Sequence, residues 1–180
     1  MKFLELKYTR ESLTLALPVM LTQVGQVSVN LFDNIIVGKL LGSQALASVS
    51  LGNAVFFSIF VLALGFSFAI PPLVSEAKTQ EKHSVINNVF RHGFVINMTV
   101  GIILMLALML ALPLLYHMDQ PKEIIPDTID FLHIMAISMI PFMMFQTLRE
   151  VSEGLSYTIG VTKATILANI INLVLNYVFI

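Results

Sequence analysis

Five long apolar runs govern what this chain can fold into. They cover approximately residues 12–38, 45–74, 93–116, 129–148 and 165–180. A helix needs about 20 mostly apolar residues to cross the hydrocarbon core of a bilayer. The first two runs are longer than that, which leaves room for tilt or for an end outside the hydrocarbon. The fifth is still apolar at Ile180. Of the 180 residues, 57% are hydrophobic and 12% are charged, against about 25% charged in soluble domains. So few charges cannot cover a globule with polar surface, and lipid is the solvent that fits. The expectation is an all-α integral membrane protein with about five transmembrane helices.

The same composition narrows the chemistry. The chain has no cysteine, which excludes disulfides, thiolate metal sites and cysteine nucleophiles. It has no basic patch interleaved with aromatics, so nucleic acid is not an expected partner. The N-terminal MKFLELKYTRES leads into an apolar run too long for a secretory signal, so that run should remain as a helix. Thr9 is the expected cap, with Glu11 in the first turn. Lys2, Lys7, Arg10, Lys78, Lys82, Arg91, Arg149 and Lys163 fall on one side of the predicted spans, and Lys39 and Lys122 on the other. Eight against two places the N-terminus in the cytoplasm, in a multi-pass protein of the inner (cytoplasmic) membrane. Tyr8, Tyr116 and Tyr157 lie near span ends, as interfacial anchors do.

Two polar stripes break the apolar pattern. In LTQVGQVSVNLFDNIIVG, the residues Gln23, Gln26, Asn30 and Asp33 recur at spacings of three, four and three, so they share one helical face. A carboxylate at mid-membrane costs about 2.5–3.5 kcal/mol, while each Leu or Ile returns only about 0.3–0.6 kcal/mol. The run can carry Asp33 into the membrane but cannot make lipid a good place for it. A face of amides and one acid should therefore point to a bundle interior or a wet cavity, where Asp33 can hold a proton, a cation or a cationic substrate in turn. The alternative is interhelical hydrogen bonding, which is common for Gln and Asn in membranes. The fifth run repeats the pattern with Thr165, Asn169, Asn172 and Asn176. Periodicity alone does not tell whether the two stripes face each other.

Other residues carry milder expectations. Pro18 should kink the first helix, Pro71 and Pro72 should distort the end of the second, and Pro141 should kink the fourth. Met135, Met139 and Met143, and likewise Phe56, Phe57 and Phe60, read as ordinary packing or lipid contact. His83, His92, His117 and His133 read as solvated, with no metal-ligand spacing. Arg149, Glu150 and Glu153 read as a solvated helix end rather than a gate. Asp119, Glu123, Asp127 and Asp130 read as a solvated acidic loop.

The segments LALPVMLTQVGQ, FDNIIVGKLLGSQALASVSLGN, FQTLREVSEGLSYTIGVTKA and NIINLVLNYVFI, in this order and at these separations, resemble the multidrug and toxic compound extrusion (MATE) family. The resemblance implies twelve helices in two six-helix lobes around a central cavity. Residues 1–180 would supply most of the first lobe, and the C-terminal lobe of the same chain would be its missing partner. It also implies antiport without a cofactor: H+ or Na+ enters while small organic cations or amphipathic drugs leave. The family's helix-one proline and functional aspartate fall on Pro18 and Asp33, and its fifth-helix asparagine pair on Asn172 and Asn176. In parts of the family the second of that pair is an aspartate, and the glycines after helix one are three apart, whereas Gly38 and Gly42 are four apart.

Three rival classes fit less well. An intramembrane enzyme needs a nucleophile–base pair or paired acids within the helices. The first run has one Asp, the fifth has none, and HExxH and GxSxG are absent, so no enzyme is expected. A flippase for lipid-linked oligosaccharides would carry basic residues in the membrane interior to pair with phosphates. A non-transporting assembly subunit would have no use for a lone acid and two amide stripes. The ending LNYVFI has no polar flank, and the chain reads as an N-terminal fragment that is inactive by itself.

Overall fold

A computed structural model of the chain describes the backbone of residues 2–179. The side chains of residues 2–12, Leu15, Pro18, Val19, Thr22, Gln26 and 177–179 lie outside the described set, as do residues 1 and 180. The helices are α1 (Lys2–Leu40), α2 (Gly42–Ser67), α3 (Ile70–Thr79), α4 (His83–Ala111), α5 (Ile125–Gly154) and α6 (Thr158–Phe179). A 3₁₀ helix, Leu112–His117, continues α4. There is no strand among the described residues. Four helical stretches there are long and apolar enough to cross a membrane: Gly42–Thr79, His83–His117, Ile125–Gly154 and Thr158–Asn176. The span expected at 12–38 falls on α1, whose side chains are only partly described.

Three expectations about helix ends need correction. Helix α1 begins at Lys2, so Thr9 sits inside it rather than at its cap. The run 45–74 is two helices, with Phe68 and Ala69 between them. Proline has no N–H to donate and its ring collides with the carbonyl four residues back, and with Pro71 and Pro72 in succession the helix ends before them and starts anew. Both are tolerated in the first turn of α3, where the N–H groups have no partner in the helix anyway. Pro141, by contrast, lies within α5, which continues unbroken to Gly154. Between α1 and α2 only Leu41 intervenes, and Gly42 adopts φ +88°. That left-handed conformation suits glycine, which has no Cβ to clash.

Helix α5 is the central element. It packs against α2, α3, α4 and α6, while α6 packs chiefly along α1. One core cluster joins Leu108, Leu112, Leu115, Ile125, Leu132 and Ala136, and a second joins Ala63, Met139 and Met143. Outward-facing side chains are apolar as well: Leu110 is 80% exposed and Ile134 is 71% exposed. An apolar exterior around an apolar core is what lipid permits and water does not.

Apolar helices gain little by leaving lipid for one another, so close backbone approach and polar bonds matter more. At one end of the bundle the Ser48 hydroxyl is shared between Gln44 O (3.1 Å) and Ile124 O (3.3 Å), that of Thr128 between Ile124 O (2.8 Å) and Ser48 O (3.2 Å), and Gln44 Nε2 donates to Glu123 O (3.3 Å). In the middle Asn97 Nδ2 of α4 donates to Thr147 Oγ1 of α5 at 2.9 Å, with both residues buried. At the other end Lys78 Nζ of α3 donates to Leu155 O at 2.7 Å and to Ser156 Oγ at 3.2 Å.

The turns after α3 and α5 share one construction. Lys82 N–H donates to Ala77 O and Glu81 N–H to Lys78 O; Tyr157 N–H donates to Ser152 O and Ser156 N–H to Glu153 O. These are Schellman motifs, which occupy the last carbonyls of a helix. Their left-handed residues are Glu81 (φ 53°) and Ser156 (φ 61°) rather than glycine. Glycine does occupy the close crossing of α3 and α5: a Cβ on Gly154 would lie 2.7 Å from Val74 Cβ and 2.9 Å from Pro71 O.

Two substitutions should therefore move stability in opposite directions. Gly154→Ala should lower it by about 1–3 kcal/mol through overpacking. Glu81→Gly should raise it by up to about 1 kcal/mol by relieving the left-handed penalty. Chemical unfolding in lipid–detergent micelles reads both.

Candidate functional site

Helix α6 lies along α1 and brings the two polar stripes face to face. Asn176 Nδ2 donates to Asp33 Oδ1 at 2.5 Å and to Asn172 Oδ1 at 3.2 Å. An amide nitrogen carries two hydrogens, and here one serves each acceptor. Asp33 and Asn176 are half-buried, and Asn172 is exposed. The contact continues along the helices: a Cβ on Gly25 would lie 3.1 Å from Asn169 Nδ2. Thr165 is buried, and its hydroxyl donates to Val161 O at 3.0 Å rather than joining the stripe. Gln26 and Pro18 lie in α1, with side chains outside the described residues.

Beside this pair, α1, α2, α5 and α6 enclose a cleft of about 750 Å³. Its polar lining comes from Gln23, Asn30 and Asn34 of α1, Asn53 of α2, Gln146 and Arg149 of α5, and Asn169 of α6. Its apolar lining includes Phe56, Phe57, Phe60, Met135 and Phe142. The rings are organised: Phe56 stacks on Phe60 at 5.5 Å between centroids, and Phe60 meets Phe142 edge-on at 4.7 Å. A pocket of aromatic walls and a few amides accepts an amphipathic molecule, with the rings supplying area and the amides orientation. Asp33 is not in this lining, although Asn30, about one turn before it, and Asn34, the next residue, are.

Several sequence expectations are revised here. Met139 and Met143 are fully buried core residues, as packing predicts, but Met135, Phe56, Phe57 and Phe60 line the cleft. Arg149 and Glu150 do not form a solvated helix end. They are 8% and 2% exposed, because α3 and α6 pack over the last turns of α5. Arg149 Nε donates to Glu153 Oε1 at 2.8 Å, and Gln146 Nε2 donates to Glu150 Oε1 at 2.5 Å. The four histidines His83, His92, His117 and His133 are exposed. Among the described residues there is no group of three or more His, Cys, Asp or Glu able to hold a metal ion. Around Asp33 the donors are one carboxylate and amide oxygens, a hard set suited to a proton or a simple cation.

Asn34, Asn53 and Gln146 were missed from the sequence. The signal for Gln146 was present, since it is an amide inside an apolar run and one helical turn before Glu150. Asn34 extends the Asn30 side of α1 by one turn.

Fold and cleft together define an all-helical membrane protein with a polar interior shared by α1, α2, α5 and α6. The chain belongs to the MatE family, whose model matches residues 18–178. It is 29% identical over 172 residues to the multidrug resistance protein NorM of Photobacterium profundum, a match covering 96% of this chain and 38% of that protein. It is 32% identical over 162 residues to a probable multidrug resistance protein NorM of Acinetobacter baylyi, covering 90% and 36%. Against the multidrug resistance protein MdtK of Yersinia pestis it is 27% identical over 172 residues, covering 95% and 37%. Among solved structures, an outward-facing multidrug resistance MATE family transporter of the MOP superfamily matches with a TM-score of 0.79 at 22% identity, over 92% of this chain and 37% of that one. That likeness establishes the fold. The chain spans 36–38% of the length of these curated relatives.

The Asp33–Asn176 pair is testable by a double-mutant cycle of Asp33→Asn and Asn176→Leu on stability in micelles. The expected coupling is about 1 kcal/mol, within the range found between membrane helices. A coupling of zero would mean that the two side chains do not interact.

Proposed function

We propose that the protein exports small organic cations and amphipathic compounds across the cytoplasmic membrane in exchange for H+ or Na+. On this reading residues 1–180 provide most of one lobe, and the remaining helices of the transporter complete the cavity. The Asp33–Asn176 hydrogen bond between α1 and α6 carries the proposal. Asp33 is the carboxylate in α1's apolar run, and its partner is a neutral amide rather than a cation. Such an acid has capacity left for a proton or a cation. Asn172 and Asn176 shape the same chamber, with Asn30 and Gln26 on the approach from α1.

The cleft supports the substrate class. Phe56, Phe60 and Phe142 offer ring faces to planar or cationic compounds, and the amides of Asn30, Asn34 and Asn53 offer donors and acceptors. The names of the relatives support drug export as the outcome. Binding of the coupling ion at Asp33 shifts the conformational equilibrium only as far as the ion prefers one state. The loss of a negative charge facing Asn176 is the difference on which such a preference would rest. Basic residues in and flanking the turns after α3 and α5 (Lys78, Lys82, Arg91, Arg149 and Lys163) support a cytoplasmic N-terminus.

The test is gradient-driven efflux of a fluorescent cationic dye from membrane vesicles, with the protein expressed from its complete reading frame. Asp33→Asn should reduce coupled efflux by roughly tenfold or more, since a charged hydrogen-bonding group is worth about 1.5–3 kcal/mol. Imposed H+ and Na+ gradients, compared in turn, identify the coupling ion. Undiminished efflux at matched expression would remove Asp33 from the coupling mechanism.

A further inference from the structure

Glu150 and Gln146 lie one turn apart on α5, near the end of the bundle opposite Asp33, and the proposed cycle makes no use of them. Each is 2% exposed. Glu150 accepts a hydrogen bond from Gln146 Nε2, while the neighbouring cation Arg149 donates through Nε to Glu153. Gln146 Oε1 is enclosed and has no hydrogen-bond partner among the described residues. Two costs coincide here. A carboxylate this deep without a direct ion pair bears a desolvation cost that a neutral acid escapes. An enclosed amide oxygen without a donor is a further unmet demand.

One proton removes the buried charge and supplies the donor that Gln146 Oε1 lacks, the amide nitrogen then taking the enclosed position. Placed on Glu150, it turns the carboxyl into a donor. The Gln146 amide then rotates half a turn about its last bond, so that Oε1 takes the place of Nε2 and accepts from the acid. We propose that Glu150 and Gln146 form a second proton-binding site of this lobe, in which the Glu150 carboxylic O–H donates to Gln146 Oε1. On release, the O–H bond breaks, the proton passes to water and the amide turns back so that Nε2 donates to the carboxylate. No electron is transferred and no other covalent bond changes. Gln146 and Arg149 line the cleft, so the pair sits just behind the cleft wall, the side from which the proton would come and go.

The surroundings leave Glu150 little competition. Helix α2 has no ionisable side chain. Helix α3 brings Glu76 and Lys78, and Lys78 is engaged by Leu155 O and Ser156 Oγ. Helix α4 brings His83, Arg91 and His92, and α6 brings Lys163, all exposed. On α5 itself Arg149 and Glu153 are paired with each other. Release of the proton places a negative charge beside Arg149, which then chooses between Glu150 and Glu153.

Infrared difference spectroscopy of the protein in lipid nanodiscs, between mildly acidic and mildly alkaline solution, reads protonated carboxyl groups directly and does not depend on transport. A carboxylic C=O band should be present in the wild type and in Asp33→Asn, be lost in Glu150→Gln, and change frequency in Gln146→Leu, where its acceptor is gone. A band undiminished in Glu150→Gln, or absent from the wild type, overturns the proposal. Should Glu150→Gln fail to fold, Gln146→Leu decides alone: an unchanged band frequency overturns the site.

Discussion

Helices in hydrocarbon have no water to escape from, so their association rests on how closely their backbones approach and on the few polar groups they share. In this bundle those contacts converge on α5. Ser48 and Thr128 fasten its beginning to α2, Asn97 and Thr147 fasten its middle to α4, and Lys78 fastens its end to α3. Gly101 and Gly154 let α4 and α3 come near, with Met143 and Val74 in the space a Cβ would take. The α1–α6 pair is attached to this frame along its sides and meets across Asp33 and Asn176. The polar interior exists because a fastened group and a flanking pair leave a gap between them.

That arrangement separates two kinds of polar residue that look alike in a sequence. Asn97 is an amide in an apolar run, fully enclosed and bonded to Thr147; its work is done once the helices are joined. Asn30, Asn34 and Asn53 are the same chemical group, but they border the cleft. Asp33 belongs to neither set. It is held by one amide and reaches the cleft only through its neighbours on α1.

Much of the fold was legible in the sequence because membrane helices declare themselves by length and apolarity alone. The break in the second run was half legible: the prolines marked a distortion, but only the backbone shows that α2 stops and α3 restarts as a new helix. The stripes on α1 and α6 were legible as faces, whereas their meeting depends on how α6 packs and is not a property of either run. Arg149 and Glu150 were misjudged for a related reason. Charges at the end of an apolar run ordinarily mean solvent, and nothing local to α5 announces that α3 will fold back over them. Phe56 and Phe60 pack against the core and line the cleft as well, and an apolar stripe has the same period in either case.

The fastenings of α5 other than Asn97–Thr147 share one trait beyond their positions. Ser48, Thr128, Gln44 and Lys78 all donate to main-chain carbonyls, those of Ile124, Ser48, Glu123 and Leu155. A carbonyl is present whatever side chain stands above it, so each join constrains the donor and leaves the acceptor position free to drift. Half of every such contact is thus invisible to substitution. A scaffold joined in this way can keep its shape while most of its residues change, which accords with a TM-score of 0.79 at only 22% identity.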